Sequence, residues 1–136
     1  MKRTLFSTLL ILTMGMHACK PKDEYKERVA GIVSYLHKEH NYSIDDCTSV
    51  LVLQANKCNV CNAENLQKIA ADKPLNKTVF ILSAPDDSIT AFINSTYSNQ
   101  KIFIDEKNIM PKYGLSFIQN LRADICHGEL QSYHFY

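Results

Sequence analysis

Four apolar residues in a row, Val50-Leu51-Val52-Leu53, sit inside the segment Thr48 to Ala55 (TSVLVLQA) with no polar alternation. A β-branched run of this kind reads as a strand buried on both faces, and such a strand needs a covering layer above and below it. Asn56 and Lys57 follow, then Cys58-Asn59-Val60-Cys61. From Asn62 the pattern turns helical, with Leu66, Ile69 and Ala70 on one face, and the helix should end near Asp72, before Pro74. The chain therefore passes from a doubly covered strand, through two cysteines, into a helix.

The remaining segments repeat that logic. Lys77 to Ser83 (KTVFILS) reads as a second buried strand. Pro85-Asp86-Asp87 opens a short helix through Ile89, Phe92 and Ile93. Lys101 to Asp105 (KIFID) is a short alternating strand. Leu121 to Cys126 (LRADIC) alternates with period two, His127-Gly128 is a turn signal, and Glu129 to Tyr136 pairs back as a hairpin. Ahead of all these, Tyr25, Val29, Ile32, Val33 and Leu36 have helical spacing, which predicts a helix from Glu24 to about His40. Asp23 is placed to cap it, and Gly31 weakens its middle by about 1 kcal/mol relative to Ala. Strands alternating with helices imply βαβ units and a largely parallel sheet covered on both faces, which is the α/β class.

The chain is 136 residues long, enough for one ordinary domain. Its 15 basic and 14 acidic residues leave a net charge of +1 with no basic stripe, so nothing marks it for nucleic acid. Residues 1–18 stand apart. Lys2 and Arg3 precede an apolar stretch, LFSTLLILTM, of signal-peptide length and too short for a bilayer span. Met16-His17-Ala18-Cys19 then puts a small residue directly before a Cys, which resembles the lipobox of bacterial lipoproteins. That resemblance implies removal of residues 1–18, lipid on Cys19, a tether over residues 19–23 and a folded domain over 24–136. Lys22-Asp23-Glu24 distantly resembles the surface-export signal of some Bacteroidetes lipoproteins, but a solvated linker is the better reading of three residues. The mature chain has 118 residues and a net charge of −1, because Lys2 and Arg3 are lost. A domain of that size builds its own core. Its four cysteines (Cys47, Cys58, Cys61, Cys126) are then available for disulfides or redox work in an oxidising compartment.

A CxxC at a strand-to-helix junction carries a mechanism. The first turn of a helix has unpaired N–H groups and partial positive charge. A thiol placed there is favoured as thiolate, and Lys57 adds a neighbouring cation. Cys58 is the expected attacking thiol and Cys61, one turn in, the resolving thiol.

With VLVLQANKCNVC, the following helix and KTVFILS, and Lys112-Tyr113-Gly114-Leu115 ahead of a strand, a turn Gly and another strand, the chain resembles the thioredoxin superfamily. Within it the chain looks most like the membrane-tethered periplasmic thiol–disulfide oxidoreductases, over roughly Thr48 to Leu130. The resemblance implies a three-layer sandwich, a central mixed sheet with helices on both faces, with an N-terminal helix added and the C-terminal helix missing. It places the family's cis-proline position on Gln119, so the usual proline is absent, and Pro111 lies too early to replace it. The family's buried acid would fall near Val52, which is apolar. It also makes the strands of Cys47 and Cys126 antiparallel neighbours. That pairing would suit a disulfide with Cα atoms about 4.4–6.8 Å apart, closing a loop of about eighty residues worth about 4 kcal/mol; two buried free thiols are the other outcome.

The remaining candidates are weaker. His127 reads as an exposed turn residue, and His37 and His40 as a solvated face or a surface metal pair. His134 has no assigned partner. Asp45-Asp46 and Asp86-Asp87 read as cap and turn residues, and Tyr133, Phe135 and Tyr136 as strand packing. The expected function is thiol–disulfide exchange in the cell envelope by a protein held to membrane lipid through Cys19, acting on an envelope protein or a redox partner, with no cofactor or bound metal. Two alternatives remain open: a binding or structural module with a structural Cys58–Cys61 bridge, and a copper carrier using Gln119, a poor copper ligand.

Overall fold

The computed structural model describes residues 24–55, 59–73, 76–116 and 119–136, with only the backbone of 59–63. The segment read as a leader, Cys19, the expected tether with Asp23, and Lys57 and Cys58 lie outside the described residues. Among the described residues no helix is long and apolar enough to cross a membrane.

The element order is α1 (Glu24–His40), β1 (Thr48–Leu53), α2 (Asn59–Ala71), β2 (Lys77–Leu82), α3 (Asp87–Thr96), β3 (Gln100–Ile104), a 3-10 turn (Met110–Tyr113), β4 (Leu121–Cys126) and β5 (Glu129–Phe135). One five-stranded sheet runs β3-β2-β1-β4-β5. β1 pairs parallel with β2 and β2 with β3, whereas β4 is antiparallel to both β1 and β5, so the sheet is mixed. β1 is central, and every one of its six residues is buried.

Alternation along β1 divides the core. Val50 and Val52 face α1 and join Val29, Ile32, Tyr35 and Leu36, together with Val79, Ile81, Leu121, Ala123 and Ile125. Leu51 and Leu53 face the other way and pack with Leu66 and Ile69 of α2, Ile89 and Ile93 of α3, and Phe80 and Leu82. Both parallel crossovers therefore lie on one face of the sheet, and α1 covers the other.

Several boundaries differ from the sequence reading. β1 stops at Leu53, two residues short of the expected end. α2 begins at Asn59, three residues before the apolar periodicity starts, because its first turn needs backbone pairing and no apolar face. The Met110–Tyr113 turn carries no period and was not expected. It is held by Asp105, whose carboxylate accepts from the N–H groups of Ile109 and Met110, each at 2.9 Å. Asp86 caps α3 by accepting from the Ile89 N–H at 2.9 Å.

Gly31 has a different role from the one its helix propensity suggests. A Cβ there would stand 2.2 Å from the Tyr113 carbonyl oxygen and 3.3 Å from Leu115 Cδ2. The missing side chain lets α1 lie directly on the backbone of the 3-10 turn. At the β4–β5 hairpin, His127 (φ 51°) and Gly128 (φ 78°) both take the left-handed conformation that a two-residue hairpin turn demands.

Candidate functional site

The site begins where β1 leaves the sheet. The Gln54 N–H donates to Asn120 Oδ1 at 2.9 Å, and the Ala55 N–H donates to Ser83 Oγ at 3.0 Å. Ser83 is itself tied back, its N–H donating to the Leu53 carbonyl at 3.0 Å. The exit of the central strand is thus clamped from both neighbours: by the residue before β4 on one side and the residue after β2 on the other. Asn120 is buried, and its carbonyl accepts from the Tyr136 N–H at 3.0 Å, which ties the end of β5 into the same corner.

Beyond Ala55 the segment 56–58 is outside the described residues, and α2 starts at Asn59. Cys61 is in its first turn. That turn has no acidic residue, so none of its own side chains offsets the partial positive charge of the helix start. Gln119 stands exposed in the bend before β4, next to Asn120 and therefore beside the clamped Gln54. Val52 is fully buried against the α1 face.

The other two cysteines meet at the opposite end of β1. Cys47 and Cys126 form a disulfide across 79 residues of sequence, just beyond the Thr48–Ile125 pair that ends the β1–β4 ladder. Their Cα atoms are 4.0 Å apart, closer than the expected lower limit of about 4.4 Å. The six-residue β1, about 20 Å long at strand rise, separates this disulfide from the segment leading to Cys58.

One polar cluster went unrecognised in the sequence. The charged residues of LRADIC do not face water: Arg122 and Asp124 are 6% and 8% exposed and lie on the α2 side of β4. Asp124 accepts from Arg122 Nε at 2.9 Å and Nη2 at 3.0 Å, from Ser49 Oγ at 2.7 Å and from Ser132 Oγ at 2.6 Å. Burial alone would raise its pKa, but these hydrogen bonds and the Arg122 charge outweigh burial and hold it below the ordinary carboxylate value. Arg122 also donates to the carbonyls of Asp72 (3.3 Å) and Lys73 (3.0 Å), capping the C-terminal end of α2. The Tyr136 hydroxyl donates to Asp72, and burial, followed by that carboxylate, pushes its pKa up to about 12. The signal that could have found this cluster is two opposite charges at i and i+2 inside an otherwise apolar strand.

The histidines do not converge. His37, His127 and His134 are exposed. His40 Nε2 lies 3.0 Å from the hydroxyl of the buried Tyr35, and its ring lies against Phe103. Tyr35 is shifted up by burial, then by the charges of Asp105 and Glu39. Among the described residues no three His, Cys, Asp or Glu side chains gather as a metal-ligating group. Asp46 pairs with Lys77. Tyr133 packs with Tyr25 and Phe135 at the α1–β5 edge.

No protein-family model, curated protein or solved structure matches the chain.

Proposed function

We propose that the chain is a lipid-anchored thioredoxin-like protein of the cell envelope that exchanges thiols and disulfides through Cys58 and Cys61. The observation that carries this reading is the corner at the end of β1. The central strand is clamped at Gln54 by Asn120, four residues before Cys58, and a helix without acidic residues in its first turn starts immediately after Cys58. A helix start whose own first turn carries no acidic residue favours the thiolate form of a thiol placed at it. The helices on both faces, the antiparallel β4–β5 pair and the position of Gln119 beside this corner agree with the same fold.

In the reducing direction, the Cys58 thiolate attacks one sulfur of a substrate disulfide, and the other substrate sulfur leaves as a thiolate. Cys61, deprotonated, then attacks Cys58. The mixed disulfide breaks, the second substrate sulfur leaves as a thiolate, and the Cys58–Cys61 disulfide remains. Two electrons have passed to the substrate, and the leaving thiolates take up protons. The oxidising direction is the reverse, and the reduction potential selects between them. Lys57 adds positive charge beside the attacking sulfur, and Gln119 stands where a partner's backbone would lie. The partner is an envelope protein with an accessible disulfide or dithiol, and Cys19 carries the lipid.

The test is the reduction potential of Cys58–Cys61 in the folded chain, read by trapping thiols in glutathione buffers with Cys47–Cys126 intact. A value within about −270 to −120 mV supports exchange and gives its direction. A bridge still closed below about −300 mV would make it structural and end the oxidoreductase reading.

A further inference from the structure

An apolar groove of about 1070 Å³ lies between α1 and β5. Tyr25, Val29 and Val33 form one wall and Leu130, Tyr133 and Phe135 the other. Tyr25 is 53% exposed and Phe135 42%, the two large hydrophobic side chains that stand out from the described surface. Two aromatic contacts preset their geometry: Tyr25 meets Tyr133 edge-on at 4.8 Å, and Tyr133 meets Phe135 edge-on at 5.2 Å. The Arg28 guanidinium lies 5.5 Å from the Phe135 ring centre.

We propose that this groove rests on the surface of the membrane, with Tyr25 and Phe135 entering the headgroup region. The inference rests on lipidation of Cys19, which is part of the function proposed above. What identifies the occupant is the length of chain between anchor and groove. Tyr25 is both a wall of the groove and the sixth residue after Cys19. Six residues span at most about 20 Å when fully extended. A lipid on Cys19 therefore keeps this wall within about 20 Å of the bilayer, and α1 starts on the groove side of the sheet. Aromatic side chains with an apolar body, one of them carrying a polar tip, suit the membrane–water interface. Lys26 and Glu129 both line the groove, so its charge is balanced and apolar contact is the main attraction.

The chain contains no Trp, so Phe135→Trp gives one fluorescent reporter in the groove and Ser95→Trp gives one on the exposed side of α3. The full chain, produced in a bacterium with an alkynyl fatty acid and purified in lipidated form, is placed in vesicles of phosphatidylethanolamine and phosphatidylglycerol. Some of the acyl chains are brominated near the headgroup. An interfacial surface sinks about 5–10 Å into the headgroup–acyl boundary, so the reporter at 135 should be quenched at least about twofold more than the one at 95. Equal quenching in chains that carry the fatty acid on Cys19 overturns the docking and leaves the anchor reading standing. Absence of label on Cys19 overturns both. A blue-shifted reporter at 135 that bromine does not quench means that protein, such as a second copy, covers the groove, and this also overturns the proposal. Tyr25→Trp repeats the measurement from the other wall if the change at 135 disturbs the strand.

Discussion

Arg122 and Asp124 lie two residues apart on β4 and point to the same face. There Asp124 accepts two hydrogen bonds from the Arg122 guanidinium, which in turn holds the last carbonyls around Asp72 and Lys73. With Ser49 and Ser132 the pair joins β1, β4, β5 and the end of α2 in one buried cluster. Removing Asp124 alone leaves a cation buried without its partner. Asp124→Ala should destabilise the domain by about 3–5 kcal/mol, measured by urea unfolding. Replacing both members with apolar residues, Arg122→Met with Asp124→Leu, should recover most of that loss. Equal destabilisation by the single and double variants would contradict this account.

The same carboxylate sets a pH dependence. Its folded pKa lies below its unfolded value, so the stability it contributes is complete above about pH 4, the unfolded value. That contribution disappears as pH falls through the lower folded pKa. Urea midpoints taken from pH 6 downward should show this acid loss in the native chain and a flatter profile in Asp124→Asn.

Cys47–Cys126 closes a loop of about eighty residues at the end of β1 remote from Cys58. Cys47→Ser with Cys126→Ser should lower stability by about 4 kcal/mol on the loop-entropy account. Because about 20 Å of strand separates the two ends, the same double variant should leave the Cys58–Cys61 potential nearly unchanged. A large shift of that potential would mean that the two pairs communicate.

Helix propensity and packing make opposite predictions at Gly31. Propensity alone gives Gly31→Ala about 1 kcal/mol of extra stability. The Tyr113 carbonyl oxygen, 2.2 Å from the new Cβ, cannot yield without moving the 3-10 turn off α1. Gly31→Ala should therefore destabilise by about 1–3 kcal/mol, and thermal melting decides between the two signs.

Asn120 offers a test of the clamp itself. Asn120→Ala leaves the Gln54 N–H without its acceptor, which should cost about 1–3 kcal/mol. If the clamp positions Cys58, the variant should also change the rate at which Cys58 reacts with an alkylating agent. Asn120→Asp restores an acceptor and should recover that rate, whereas a purely structural role would leave it unmoved throughout.

Much of the architecture was legible in the chain. The unbroken Val50–Leu53 run specifies a strand covered on both faces, and the spacing of Val29, Ile32 and Leu36 specifies the helix that covers one of them. The cysteine pair at the junction, the Asp86 cap and the His127-Gly128 turn are equally local: each depends on residues within a few positions of one another. Periodicity and turn chemistry are properties of a short segment, so sequence alone determines them. What only the tertiary structure decided depends on partners far apart in the chain. The period-two alternation of LRADIC leaves the burial of Arg122 and Asp124 undetermined until Ser49, Ser132 and the end of α2 close over them. Gly31 reads as a weak point in a helix until the Tyr113 backbone arrives against it, and nothing local to Asn120 marks it as the acceptor for Gln54. Burial and hydrogen-bond acceptance are set by whichever groups the fold brings near, and no window of sequence contains both sides of those contacts.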